Sequence, residues 1–192
     1  MGTRGVLGSQ VHFDWFALSG LPDSLVDPVL GNLRFDKYIW RGSTDQTLHG
    51  QTLDLYVEGT LEAIPGDLER AAFQKFLGLN ATLEKSVELA IFAYYNEVLP
   101  IYRDAMGDFA DKLAPVLSDS SLIWDLLSSP SLFIAKEQRV SSFEYHFESR
   151  WDVEHGLRVI VRDGPIFAVD MDLGQDWDYL THYNTAGERI NV

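Results

Sequence analysis

Three residues in one short run could do chemistry: Asp152, Glu154 and His155, within Trp151-Asp152-Val153-Glu154-His155-Gly156. A carboxylate beside an imidazole can hold a metal ion or exchange a proton near neutral pH, provided two or three such groups converge on one point. His146, Glu148 and Asp170, from neighbouring segments, would extend these into a carboxylate and imidazole cluster, in which His146, Asp152 and His155 are the metal-ligand candidates. In an extended chain, however, Glu154 and His155 point to opposite sides. The same residues also have a structural reading. Asp152 would bond turn backbone, Glu154 would offset Arg158 or Arg162, and His155 would pack or bond locally before Gly156. No cofactor is expected, since the chain carries no phosphate-binding loop, dinucleotide glycine pattern, nucleophile elbow or helical zinc-hydrolase motif. The lack of cysteine removes disulfides, thiolate zinc sites and a cysteine nucleophile together.

The elements that must position this run are strands. Phe143, Tyr145, Phe147, Ser149 and Trp151 alternate with Glu144, His146, Glu148 and Arg150, the period-2 pattern of a half-buried antiparallel strand. Leu157, Val159 and Val161 repeat it, and Asp163-Gly164 turns the chain into a third strand from Pro165 to Met171. With both aromatic and valine faces on the core, placing Arg150 opposite Arg158 is unfavourable. The preferred register therefore sets Glu148 opposite Arg162, with a long or bulged connection over Asp152 to Arg158.

Upstream, Gly31 to Trp40 reads as a strand or hairpin with Leu33 and Phe35 on one face, Arg41 to Gly50 as a polar loop, and Gln51 to Leu61 as a strand. Asp67 is the expected N-cap of a helix that breaks near Gly78. Asn80 would cap a second helix along Leu83, Val87, Ala90, Ile91, Tyr94 and Val98, which Pro100 stops or kinks. Ser118 or Asp119 opens a short helix closed by Ser129-Pro130, and Leu132 to Lys136 leads into the meander. After Met171 the period is lost and loop is expected. Strands, then helices, then strands argue an α+β fold, a mainly antiparallel sheet packed on a central helical layer. Residues 1–28 read as an N-terminal arm and 29–192 as one domain.

The chain has 192 residues, 46% of them apolar, enough to bury a sizeable core. Its formal charge is -14, from 29 Asp and Glu against 15 Lys and Arg. That surface repels phosphate backbones and anionic membranes and attracts a basic protein. No leader-like apolar run opens the sequence, and none is long enough to span a bilayer, so a cytoplasmic location is expected.

The run Trp151-Asp152-Val153-Glu154-His155-Gly156-Leu157-Arg158-Val159 resembles the signature of an uncharacterised family of bacterial domains that close on Trp-Asp-x-Glu-His-Gly-Leu-Gly-Val. Gly31 to Asp36 with Trp40-Arg41-Gly42, and the Ala71 to Tyr95 region with its paired tyrosines, are similar to the same family, covering about residues 29–178. Arg158 stands where that family has its second glycine, and Val169-Asp170 where it has Val-Gly. Some members resemble immunity proteins of bacterial toxin systems. The resemblance, the charge and the missing catalytic signatures together imply a non-enzymatic acidic protein that occupies a basic, toxin-like effector. A hydrolase or metal-dependent enzyme using Asp152, Glu154 and His155 is the alternative, and a module with a small-molecule pocket between sheet and helices is a third reading.

Overall fold

The computed structural model describes residues 23–60, 63–135, 142–162, 166–171 and 180–191. Among these residues ten strands form one sheet in which each strand neighbours the next in sequence. They are β1 Ser24–Asp27, β2 Gly31–Asp36, β3 Ile39–Leu48, β4 Gln51–Glu58, β5 Leu127–Ile134, β6 Phe143–Ser149, β7 Leu157–Arg162, β8 Ile166–Asp170, β9 Thr181–Tyr183 and β10 Arg189–Ile190. Every pairing is antiparallel except β4 with β5. A parallel pair needs a long crossover, and here it is helix α1, Asp67–Met106, with the segments behind it. The fold is therefore α+β, as the segregation of patterns implies.

α1 is one helix of 40 residues, about 60 Å long. The expected break at Gly78 and cap at Asn80 do not occur. Glycine in a helix costs about 1 kcal/mol. Against that stands a continuous buried stripe through Ala72, Phe73, Phe76, Leu83, Val87, Ile91, Tyr95 and Leu99, packed on the sheet. Asn80 is buried instead and links helix to sheet, accepting from the Tyr145 hydroxyl (2.8 Å) and donating to the Thr47 carbonyl (3.0 Å). Pro100 lies on the exposed side and the helix runs on past it to Met106. The N-cap is Gly66, one residue before Asp67; its N–H donates to Glu69 Oε2 (2.7 Å), while Asp67 pairs with Arg70 inside the first turn. A 3-10 turn at Gly107–Phe109 and the short α2, Ala110–Leu113, follow.

Arg41 to Leu48 is strand and not loop. Arg41, Ser43, Asp45 and Thr47 are exposed, and a bulge between Ser43 and Thr47 breaks the alternation. The Thr44 hydroxyl serves the bulge, accepting from the Gln46 N–H (3.0 Å) and donating to the Leu53 carbonyl (3.1 Å). His49 (φ 47°) and Gly50 (φ 73°) then make a two-residue turn of the kind that matches strand twist. Asp119 caps a 3-10 helix, Ser120–Leu126, by accepting from the Ser121 N–H. Ser129-Pro130 does not close it but forms a bulge inside β5, where a missing N–H is tolerated.

The meander register also differs from the expectation. Phe147 lies opposite Leu157, Tyr145 opposite Val159 and His146 opposite Arg158, so Glu148 does not face Arg162. β6 leaves β7 after Phe147 yet continues to pair with β5 as far as Ser149, and this lengthens the connection. β9 and β10 replace the loop expected after Met171, being too short to show a period. The Val11 to Ala17 alternation of the arm, and Trp177 and Tyr179, lie outside the described residues. β1 pairs with β2, and its Asp27 carboxylate binds the Val29 and Leu30 N–H groups and Arg70 of α1.

Candidate functional site

The Trp151 to Gly156 run forms the β6–β7 corner, seated on the C-terminal half of α1. Trp151 is 1% exposed and packs on Tyr95, ring centroids 4.9 Å apart. That burial pushes the Tyr95 phenol up to about 12. The turn is closed by backbone: the Ser149 hydroxyl donates to the Asp152 carbonyl (3.0 Å) and accepts the Asp152 N–H (3.1 Å), and Gly156 N–H donates to the same carbonyl (3.0 Å). Gly156 adopts φ +72°, and a Cβ there would stand 2.5 Å from the Phe147 carbonyl oxygen. Only glycine fits, because both the backbone angle and the space forbid a side chain.

Asp152 is the centre of the corner. Its Oδ2 accepts from the Tyr102 hydroxyl (2.6 Å), and its Oδ1 accepts from the His155 N–H (3.1 Å) and meets His155 Nδ1 (3.0 Å). Burial pushes this carboxyl up, but the bonds from Tyr102 and His155 outweigh it and leave the group below the usual carboxylate range. Burial, and next the Asp152 carboxylate, hold the Tyr102 phenol well above its ordinary value, so Tyr102 is the donor. Met171 Sδ lies 2.8 Å from the same hydroxyl.

The sequence-derived residues are thus divided. Asp152 and His155 meet; Glu154 is exposed beside them. His146 lies on the sheet face turned away from α1, where Nε2 contacts Glu144 Oε2 (2.9 Å) and the ring packs on Phe133. Register sets Arg158 opposite Asp170, and Glu148 is exposed near the end of β6, bonded to Ser128. Among the described residues no three His, Asp or Glu side chains are grouped to hold a metal ion. Chemically, Asp152 acts as a clasp between turn and helix, with one imidazole oriented at its edge.

Tyr102 has no local signal, since it meets Asp152 only through the tertiary fold. The one hint is that the α1 stripe of Leu99 continues to it past Pro100. A second polar centre lies between α1, the 3-10 helix Ser120–Leu126 and the β3–β4 turn. Glu88, 6% exposed, accepts from Lys85, from the Ser120 hydroxyl (2.6 Å) and from Trp124 Nε1 (3.1 Å). The His49 ring stacks on Trp124 at 4.9 Å and 7°, and Glu84 accepts the His49 N–H. The cleft beside it, between Leu48, Trp124, Leu127, Pro130 and Phe147, encloses no room for a small-molecule ligand.

No helix among the described residues is long and apolar enough to cross a membrane. No curated protein and no solved structure matches the chain. A family model does match it, over residues 29–174, a span that holds α1, the β6–β7 corner and most of the sheet; the chain belongs to the family described as a domain of unknown function, DUF6985.

Proposed function

We propose that this chain is a non-enzymatic acidic binding protein of the immunity type, which occupies a basic effector protein through its carboxylate surface. The reading is supported by how the charge is distributed. Arg70 is held by Asp27, Asp67 and the Pro65 carbonyl, Arg103 by Asp111 and the Ala114 carbonyl, and Arg150 donates to the Lys112 carbonyl. These three arginines are drawn onto the protein's own groups, while Asp45, Asp54, Asp104, Asp108, Asp125, Glu148 and Glu154 are exposed. A surface field of one sign steers a basic partner and speeds encounter, an effect that salt removes over about 8 Å. Affinity purification from the native host at low and high salt, followed by reconstitution with the purified partner, tests this. A stoichiometric basic protein whose association slows by on the order of tenfold between low and physiological salt is expected. Partners that are neutral or acidic, or association indifferent to salt, would refute it.

A second reading, a hydrolase or metal-dependent enzyme using Asp152, Glu154 and His155, draws on the 3.0 Å contact that orients the His155 ring. Metal analysis of the purified protein with Glu154→Gln and His155→Ala variants separates the two. Both variants folded, metal-free and still able to bind the partner would leave the enzymatic reading without a site.

A further inference from the structure

The sheet face turned away from α1 carries one row that runs against the charge of the molecule. Register places Arg34 of β2 opposite Arg41 of β3, Arg41 opposite Tyr56 of β4, and Tyr56 opposite Phe133 of β5. Their sequence neighbours Leu33, Phe35, Trp40, Leu55, Val57, Leu132 and Ile134 are buried towards the helix, so the four share the outer face. Arg41 lies over the Tyr56 ring at 5.4 Å, and Phe133 packs on His146 at 5.0 Å. Asp36 reaches Arg41 from one side at 3.2 Å. Arg34 is exposed and enters no ion pair among the described residues.

Like charges directly opposite on adjacent strands are unfavourable unless something sits between them. Two arginines set opposite each other by register can turn their planar donor forks to a single anionic group. Beside them the half-buried rings of Tyr56, under Arg41, and Phe133, against His146, stand one strand spacing apart, and aromatic side chains of this kind are what planar rings stack on. The row spans three strand gaps, about 14 Å.

We propose that this row binds a small planar anion, a ring bearing one anionic group, with the charge on Arg34 and Arg41 and the ring on Tyr56 and Phe133. Charge elsewhere sets the size of the ligand. Asp54 and Glu58 flank Tyr56 on the same face of β4, and the whole chain carries -14. A polyanion spreads over those carboxylates and is repelled, whereas a single anionic group on Arg34 lies two strand spacings, about 10 Å, from β4, beyond the screening length of about 8 Å. This site is independent of the acidic-surface reading and stands or falls separately.

Backbone NMR titration of the full chain tests the proposal, with adenosine monophosphate and 2-naphthoate as the two probes. Adenosine, inorganic phosphate and an adenine oligonucleotide are the comparisons. Shifts centred on β2 to β5 with either probe are expected, and weaker ones with adenosine or phosphate alone. Arg34→Gln, a change at an exposed position, should weaken binding about tenfold or more. Phe133→Leu should weaken the ring-bearing probes and leave phosphate unchanged. If neither probe moves these strands, if Arg34→Gln binds as well as the parent, or if phosphate alone binds as tightly as the probes, the site is refuted. Tighter binding of the oligonucleotide than of the mononucleotide would overturn the small-ligand assignment. AMP binding without naphthoate identifies a phosphate ligand, and the reverse a carboxylate; each supports the site.

Discussion

Gly156→Ala is the sharpest test of the β6–β7 corner. Two costs add at this position. The backbone angle, φ +72°, costs an alanine about 1–2 kcal/mol. The added Cβ would also stand 2.5 Å from the Phe147 carbonyl oxygen, an approach that must be relieved by moving backbone, because no flexible side chain is there to yield. Overpacking of that kind costs about 1–3 kcal/mol. The total, about 2–5 kcal/mol, corresponds to a melting point roughly 5–15 °C lower for a chain of this size. Gly50→Ala is the internal reference, since Gly50 has φ +73° and a Cβ added there would meet nothing within 4 Å. It should lose only the conformational part. Urea unfolding followed by tryptophan fluorescence measures both, and Trp151 lies in the corner itself. Equal destabilisation of the two variants, within about 0.5 kcal/mol, would refute the close approach to Phe147 as the reason for glycine.

Other expectations follow from the buried polar contacts. In a double-mutant cycle, Asn80→Ala and Tyr145→Phe should be coupled by about 1 kcal/mol in urea unfolding, and additive losses would deny the hydrogen bond a role. Asp152 is held below its ordinary range, so its contribution is present above the unfolded pKa and is lost as pH falls through the folded one. Wild type should therefore exceed Asp152→Asn in melting point at pH 7, and the gap should narrow as pH falls below the ordinary carboxylate range; a gap unchanged with pH would contradict this. Gly187, at φ +73°, would place a Cβ 2.6 Å from the Leu89 carbonyl oxygen. Gly187→Ala should loosen β9–β10 from α1, seen as faster hydrogen exchange of residues 181–190, and unchanged protection would count against that packing.

The order of amino acids alone carries what is local and periodic. Alternation in Gln51 to Glu58 and Phe143 to Ser149 marks strands, because each buries one side on the core. The stripe from Leu83 to Val98 marks a helix, and the segregation of these patterns marks the α+β class. Whatever depends on partners distant in the chain was settled by the folded arrangement. Gly78 and Asn80 look like a break, yet a sheet that holds Phe76 and Leu83 outweighs a weak local preference and turns Asn80 into a buried link. Arg41 to Leu48 looks like loop because its outward face is polar, and only pairing with β2 and β4 makes it strand. The Trp-Asp-x-Glu-His-Gly run is visible as a motif, but its use as a clasp rests on Tyr102, 50 residues away along the chain. Register did the same for Arg34 and Arg41: it set two like charges opposite each other, and no pattern in either strand alone contains that juxtaposition.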